Sequence, residues 1–534
     1  MKVFKILMTV IIVIFTISCS DGKNETIDED IVDETVTDTD SGSDSEITDD
    51  VSDTGDTASD EDIIITDEEG EDADETVSDE DSNQSTCADA APETDCASGA
   101  GLVEQKCIND KWTATPWCCY KDAPEYCSRQ FQAVDEYVDK VSSILADEDG
   151  TVYVAGTVRK SDYDPADIYF TYFKGDEEHT SVILGDAEIH ETAAEMIRFG
   201  EGFLIAGTAN GAFNGGTHGG GTDIILINID KTGTMIWSKQ IGGTSNEDAT
   251  SVTLLSDGSI LVAGLTDGPF DGHDYIDAGV NMSDPLIIKF DKDGKKIWSA
   301  TISTENRENT NYSQNPRVTA GAGGAVFIAG ATLSNMFDTN LGSFDAYIAK
   351  FSKDGDMVCS KQFGTDKADS INAIISNGTG VIMTGSTEGA FPGKTSGGTE
   401  CMGGACQDVV VITSDENCAI NTENLMQFGS AGHEAGHGMA VNNGKTVIAA
   451  HTNGLFEDII FAGEDVDKHE EDLLLVEIDG STVKTTQIGS ESQWEYGLAA
   501  AYGDTFYMAG QTPGLLGIDH PAFAKDDIII IRIK

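Results

Sequence analysis

Seven times the chain writes a short apolar run that ends in Ala-Gly-x-Thr or a close variant. The copies are "VAGT" at Val154–Thr157, "IAGT" at Ile205–Thr208, "VAGLT" at Val262–Thr266, "IAGAT" at Ile328–Thr332, "MTGST" at Met383–Thr387, "IAAHT" at Ile448–Thr452 and "MAGQT" at Met508–Thr512. They lie roughly 50 to 65 residues apart, a period that fits one four-stranded blade per copy. The clearest unit reads "SVTLLSDGSILVAGLTDGPF", then a polar loop, then "DPLIIKFDKDGKKIWSATI". Short apolar strands bounded by tight Gly turns form hairpins. Each unit therefore supplies two strands around a turn, a loop of variable length, an Asp-led third strand, a second turn and a last strand. The expected fold is all-β: a seven-bladed β-propeller of four-stranded antiparallel blades.

The ends of the array support closure. The chain stops at "DDIIIIRIK", the third strand of its unit, while "SRQFQAVDEYV" from Ser128 matches the fourth-strand stretch "SKQFGTDKADS" from Ser360. A strand from the N-terminal side completes the last blade and removes the open edges that invite aggregation. On "DIILINIDKTGTMIWSKQIGG", "DAYIAKFSKDGDMVCSKQFG" and the Ala-Gly-x-Thr landmarks, residues 128–534 resemble the bacterial seven-bladed β-propeller repeat proteins, often exported lipoproteins of unknown function. The resemblance implies an architecture and carries no catalytic residues to transfer.

One motif competes with that reading. His433-Glu434-Ala435-Gly436-His437 matches the HExxH pattern of zinc proteases, which needs a helix so that residues four apart share one face. On an extended strand those four residues span roughly 13 Å, too far for two imidazoles to share one zinc without a sharp turn. Gly432, Gly436 and Gly438 argue against a helix, and Ala440 stands where the longer metzincin pattern needs Gly. Counting five residues past the Gly that ends each fourth strand places Glu434 level with Asp248 (after Gly243) and Asp369 (after Gly364). His437 then falls level with Ser251 and Asn372. The match is read as an inter-blade turn with no catalytic residue, leaving His433, Glu434 and His437 as a weak metal candidate; no cofactor is expected.

The formal net charge is −64, and roughly two-fifths of it falls between Asp21 and Asp81, where only Lys23 opposes it. Such a chain is repelled by phosphate backbones, which argues against nucleic-acid partners. Lys2 and Lys5 precede an apolar run from Ile6 to Ile17 that ends at Ser18 and Cys19. That pattern reads as a lipoprotein signal peptide over 1–18, with Cys19 as the lipidated N-terminus. Ser20 fits sorting to the outer membrane of a bacterial cell envelope. Residues 19–86, rich in Asp, Glu, Ser and Thr, read as a disordered acidic tether. They lack the fixed loop geometry that calcium needs.

Ten cysteines remain. Cys87, Cys96, Cys107, Cys118, Cys119 and Cys127 mark residues 87–127 as a small disulfide module whose pairing the sequence leaves open; Cys359, Cys401, Cys406 and Cys418 read as two local bridges. "DKDG" at Asp291 and "DEDG" at Asp147 read as hairpin turns rather than calcium loops, and "GGTHGGGTD" from Gly215 as a flexible loop. Trp237 and Trp298, with Cys359 at the same repeat position, read as blade packing. The functional expectation is a non-enzymatic, lipid-anchored scaffold that displays variable loops to a protein or glycan. The alternative is a propeller enzyme, a hydrolase or lyase, with an axial or metal-dependent site.

Overall fold

The computed structural model describes residues 87, 91–96, 101–108, 111–134, 137–161, 164–186, 188–273, 283–302, 316–398, 406–462, 471–490, 494–514, 516 and 526–534. The leader, Cys19, the acidic segment and Cys401 lie outside the described residues.

The described residues form seven antiparallel sheets, one per landmark. Blades I to VII have as innermost strands Val138–Ala146, Glu191–Phe199, Glu247–Leu254, Arg317–Ala320, Asp369–Ser376, Glu434–Asn442 and Tyr496–Tyr502. The landmark is the second strand of every blade. It and the third strand are largely buried, wholly so in "DIILINI" of Asp223–Ile229, because each is sandwiched between the neighbouring blades. The core is accordingly seven wedges between consecutive sheets. Between blades II and III, for example, Leu204, Ala206, Ile224 and Leu226 meet Val252, Val262, Leu286 and Ile288. Each such Val, Leu or Ile contributes about 1.5–3 kcal/mol on burial.

The ring closes as the two chain ends require. Asp527–Ile533 pairs on one side with Phe506–Thr512 and on the other with Tyr126–Phe131, so Ser128 faces Ile531. Ile528 and Ile530 of blade VII share a wedge with Val141, Val152 and Val154 of blade I. The cysteine-rich segment is built into this blade. Lys111–Tyr120 and Gly101–Ile108 continue its sheet outward, making it six-stranded. Disulfides join Cys87 to Cys107, Cys96 to Cys118 and Cys119 to Cys127. Blade VI is also extended: Ile459–Ala462 lies parallel to its outer strand.

Candidate functional site

The antiparallel order puts two kinds of connection on opposite faces. Turns from first to second and from third to fourth strands are tight, and several are capped by their own side chain. Asp291 accepts hydrogen bonds from the amides of Asp293 (3.0 Å) and Lys295 (2.9 Å), and Asp230 and Asp415 repeat the arrangement. The carboxylate of "DKDG" is thus engaged by its own turn.

The outer strand of one blade latches onto this turn in the next. Trp237 lies over Gly294, and Trp298 lies over Gly355 while its indole N–H donates to the Lys353 carbonyl at 3.2 Å. Cys359 occupies the Trp position of blade IV, and Cys418 occupies the Gly position of the blade V turn, with a φ of 61°. They form a disulfide. This bridge therefore spans two blades rather than closing a local loop, because a covalent bond has replaced an indole-on-glycine contact. Cys406 is also disulfide-bonded.

The other face carries the variable connections from second to third strands, and their base is a repeated network. In blades III, V, VI and VII the landmark Thr donates to an acid that opens the inner strand: Thr266 to Glu247 (3.0 Å), Thr387 to Asp369 (2.5 Å), Thr452 to Glu434 (2.7 Å) and Thr512 to Glu495 (3.1 Å). The same acids accept amides of the inter-blade turn, as Asp369 does from Thr365 at 2.6 Å. An outer-strand Gln fixes the Asp of the third strand: Gln240 to Asp223 (2.8 Å), Gln362 to Asp345 (3.0 Å) and Gln427 to Asp408 (2.7 Å).

A buried acid of one blade thus sits beside the third-strand Asp of the blade before it: half-buried Asp167 with Glu191, and the buried Asp223 with Glu247, Asp345 with Asp369, Asp408 with Glu434, Asp472 with Glu495 and Asp527 with Asp139. Burial, then the neighbouring carboxylate, pushes Asp139 and Glu495 up to about 8. The same causes push Glu191 to about 7 and Asp369 to about 6, and raise Glu247 and Glu434.

Glu434 of the HExxH match belongs to this network. It is fully buried, accepts from the Ser430 amide at 2.9 Å and the Thr452 hydroxyl, and opens an extended strand. His433 precedes that strand, its amide donating to Asn453 at 2.6 Å. His437 sits at a bulge, its Nε2 2.7 Å from Nδ1 of His451. Burial drives His437 well below the usual histidine range and His451 to about 4, so both rings are neutral at pH 7. Among the described residues, the one group of three metal-ligating side chains that converge is Glu104 with Cys119 and Cys127, whose sulfurs are joined in a disulfide. Register corrects the repeat alignment by one residue in blade III. Glu434 faces Thr452 as Glu247, not Asp248, faces Thr266, and His437 is level with the bulge residues Thr250 and Asn372 rather than with Ser251. The equivalent glycine is Gly242, which packs on Asp223 as Gly429 packs on Asp408, and Gly243 is level with Ser430, each donating its amide to the acid that opens the next strand.

The glycine-rich stretch from Gly215 is pinned rather than flexible. The Gly219 amide donates to Asp223 at 2.9 Å, and a Cβ on Gly219 would meet the Gly243 carbonyl at 2.2 Å.

The inner strands surround an axial cavity of about 250 Å³. Six of them carry a one-residue bulge at the same register. The residue after it is Ser143, Glu195, Ser251, Ala373, Gly438 or Ala499, and Arg317 holds that place in blade IV. Most polar lining groups stitch neighbouring blades together: Ser142 to the Ala193 carbonyl (2.8 Å), Ser143 to that of Met196 (3.2 Å), Asn372 to that of Gly436 (2.9 Å). Glu195 accepts from Ser251 Oγ (2.6 Å) and the Val252 amide (2.9 Å) through Oε2, and Arg317 Nη1 donates to the Thr250 carbonyl (2.7 Å). Burial raises the Glu195 carboxyl against the pull of Arg317, and burial lowers Arg317. Sequence reasoning missed both residues. Their signal is a charge where other blades carry Ser, Ala or Gly, and the bulge hides that position from a simple residue count.

No family model matches the chain. Over 182 residues it is 26% identical to the regulatory protein FlaEY of Caulobacter vibrioides, a match covering 32% of this chain and 19% of that protein; the chain spans about a fifth of the length of the curated relative it matches. Similar solved structures include a Trypanosoma rangeli sialidase in complex with sialic acid (TM-score 0.39, 11% identity, 76% of this chain and 59% of that one). Others are a Pyrococcus horikoshii acylaminoacyl peptidase (0.38, 10%, 70% and 49%) and a Dyadobacter fermentans protein of unknown function (0.35, 11%, 76% and 99%). At these scores the likeness bears on neither activity nor ligand.

Proposed function

We propose that this protein is a non-enzymatic display scaffold, held to the bacterial cell envelope through lipid on Cys19, that presents the variable-loop face of its propeller to a protein or glycan. The observation that carries this reading is the set of second-to-third-strand connections, which differ in length and composition from blade to blade above a recurring base. Leu341 (57% exposed), Leu455 (51%) and Trp494 (55%) all stand on connections of the loop face. Large apolar side chains left in water on a rigid frame are the anchors from which hot spots are made, Trp above all. The histidines and the Glu of the HExxH match are meanwhile held by bonds internal to blade VI and its flanking turns.

The reading is tested with a photo-crosslinking residue placed at Leu455 or Trp494, and at Lys292 on the hairpin face, in cells that make the full chain. Crosslinked partners are expected from the loop-face positions, with yield at position 455 cut severalfold by Trp494→Ala. Equal yields from Lys292 would sink it. The rival, an axial-site enzyme, is favoured by the raised Glu195 carboxyl in a cavity; turnover lost on Glu195→Gln would establish it.

A further inference from the structure

Glu195 and Arg317 put opposite charges into the axial cavity without closing on each other. They lie two blades apart, on blades II and IV, with Ser251 of blade III between them: Ser251 Oγ donates to Glu195 and accepts from the Val318 amide at 3.1 Å. No ion pair joins them, although each feels the other's charge. Each also keeps unused capacity. Glu195 Oε1 accepts no hydrogen bond among the described residues, since both of its bonds go to Oε2. Arg317 uses Nη1 alone, and its Nε is buried without a partner. The remaining lining is stitched to neighbouring carbonyls, as for Ser142, Ser143 and Asn372, or apolar, apart from the His437 ring, whose Nε2 is engaged by His451 Nδ1 at 2.7 Å.

We infer that the cavity is a binding site for a small zwitterion, a free α-amino acid, with its carboxylate on Arg317 and its ammonium on Glu195. A guanidinium presents donors in a fork that suits a carboxylate, and a carboxylate is the natural acceptor for an ammonium. Both attractions are stronger in a confined, partly desolvated space than in water. At about 250 Å³ the space falls below the range of drug-sized ligand sites, which sets the ligand at a few heavy atoms. Ala373, Gly438 and Ala499 at the charge-bearing position add no further charge from blades V to VII, and the polar Asn372 and His437 of those blades are already engaged by the Gly436 carbonyl and by His451. This site stands independently of the loop-face reading.

The test is calorimetric titration and thermal shift of the full chain with the twenty common amino acids. Acetate, methylammonium and glycine betaine serve as probes that each remove one half of the recognition. At least one small amino acid is expected to bind, with acetate and methylammonium each weaker by roughly tenfold to a hundredfold. Glu195→Gln and Arg317→Met should each abolish binding while the far-ultraviolet spectrum stays that of the wild type. Acetate binding as tightly as the amino acid would make this an anion site and overturn the proposal, as would amino-acid binding that survives both substitutions or no binding at millimolar concentration. The wild-type probe series decides the matter even if a variant fails to fold.

Discussion

On the hairpin face the turns between strands are short; Asp230, Asp291 and Asp415 cap theirs, and the outer strands of blades II, III and IV clamp the third-to-fourth-strand turns of the blades that follow. On the loop face the connections 210–222, 267–283, 333–344, 388–407, 453–471 and 513–526 differ in length and composition, above a base that repeats. The contrast separates two tasks within one repeat. Turn chemistry that recurs with the blade is architecture. Sequence that changes from blade to blade, over an acid–Thr–Gln base that recurs in most blades, is free to specify contacts.

The largest expected effect comes from cutting the hairpin-face latch where it is covalent. Cys359→Ala should cost about 2–4 kcal/mol in urea unfolding, and Cys359→Trp with Cys418→Gly should recover most of it by restoring the indole-on-glycine contact of the neighbouring blades. A double variant no more stable than Cys359→Ala would mean that the two latches are not equivalent.

The next comparison sets a glycine from each face side by side. Gly294 and Gly215 both hold a φ of +75°, but a Cβ on Gly294 would sit 2.7 Å from Lys239 and 3.2 Å from Trp237, whereas Gly215 opens onto space. Both Ala variants pay about 1 kcal/mol for the left-handed backbone. Gly294→Ala should lose more, and equal losses would erase the difference between the faces.

The smallest effect is a slope. The buried acids under the loops bind protons more tightly in the folded chain than in the unfolded one, where carboxyls titrate near 4. Their contribution to stability is complete below that pH and is lost as pH rises through about 6 to 8. Melting temperature should therefore fall from mildly acidic to mildly alkaline buffer, and Asp139→Asn with Glu495→Gln should flatten the fall. An unchanged slope would show that these carboxyls stay ionised.

Blade number, strand order and the closing strand were legible because each rests on local periodicity. The alternating apolar residues, the Asp-Gly turns and the landmark Thr repeat within a window that a reader can align. The site was far less legible. Glu434 could be recognised as a repeat position, yet its level was misjudged against blade III because Gly242-Gly243 offers two anchors, and only packing against Asp223 tells them apart. The variable loops could be placed on one side of each hairpin, but not their exposed Leu341, Leu455 and Trp494.

By itself, then, the sequence determined a seven-bladed all-β ring closed by a strand from its N-terminal side, since hydrophobic period and turn chemistry act between near neighbours. Only the tertiary structure decided that Cys359 bonds to Cys418, that the cysteine-rich segment extends blade VII, and that Glu195 and Arg317 face one cavity. Those outcomes depend on how blades pack around a common axis and where each inner strand bulges, which brings together residues that no local pattern relates.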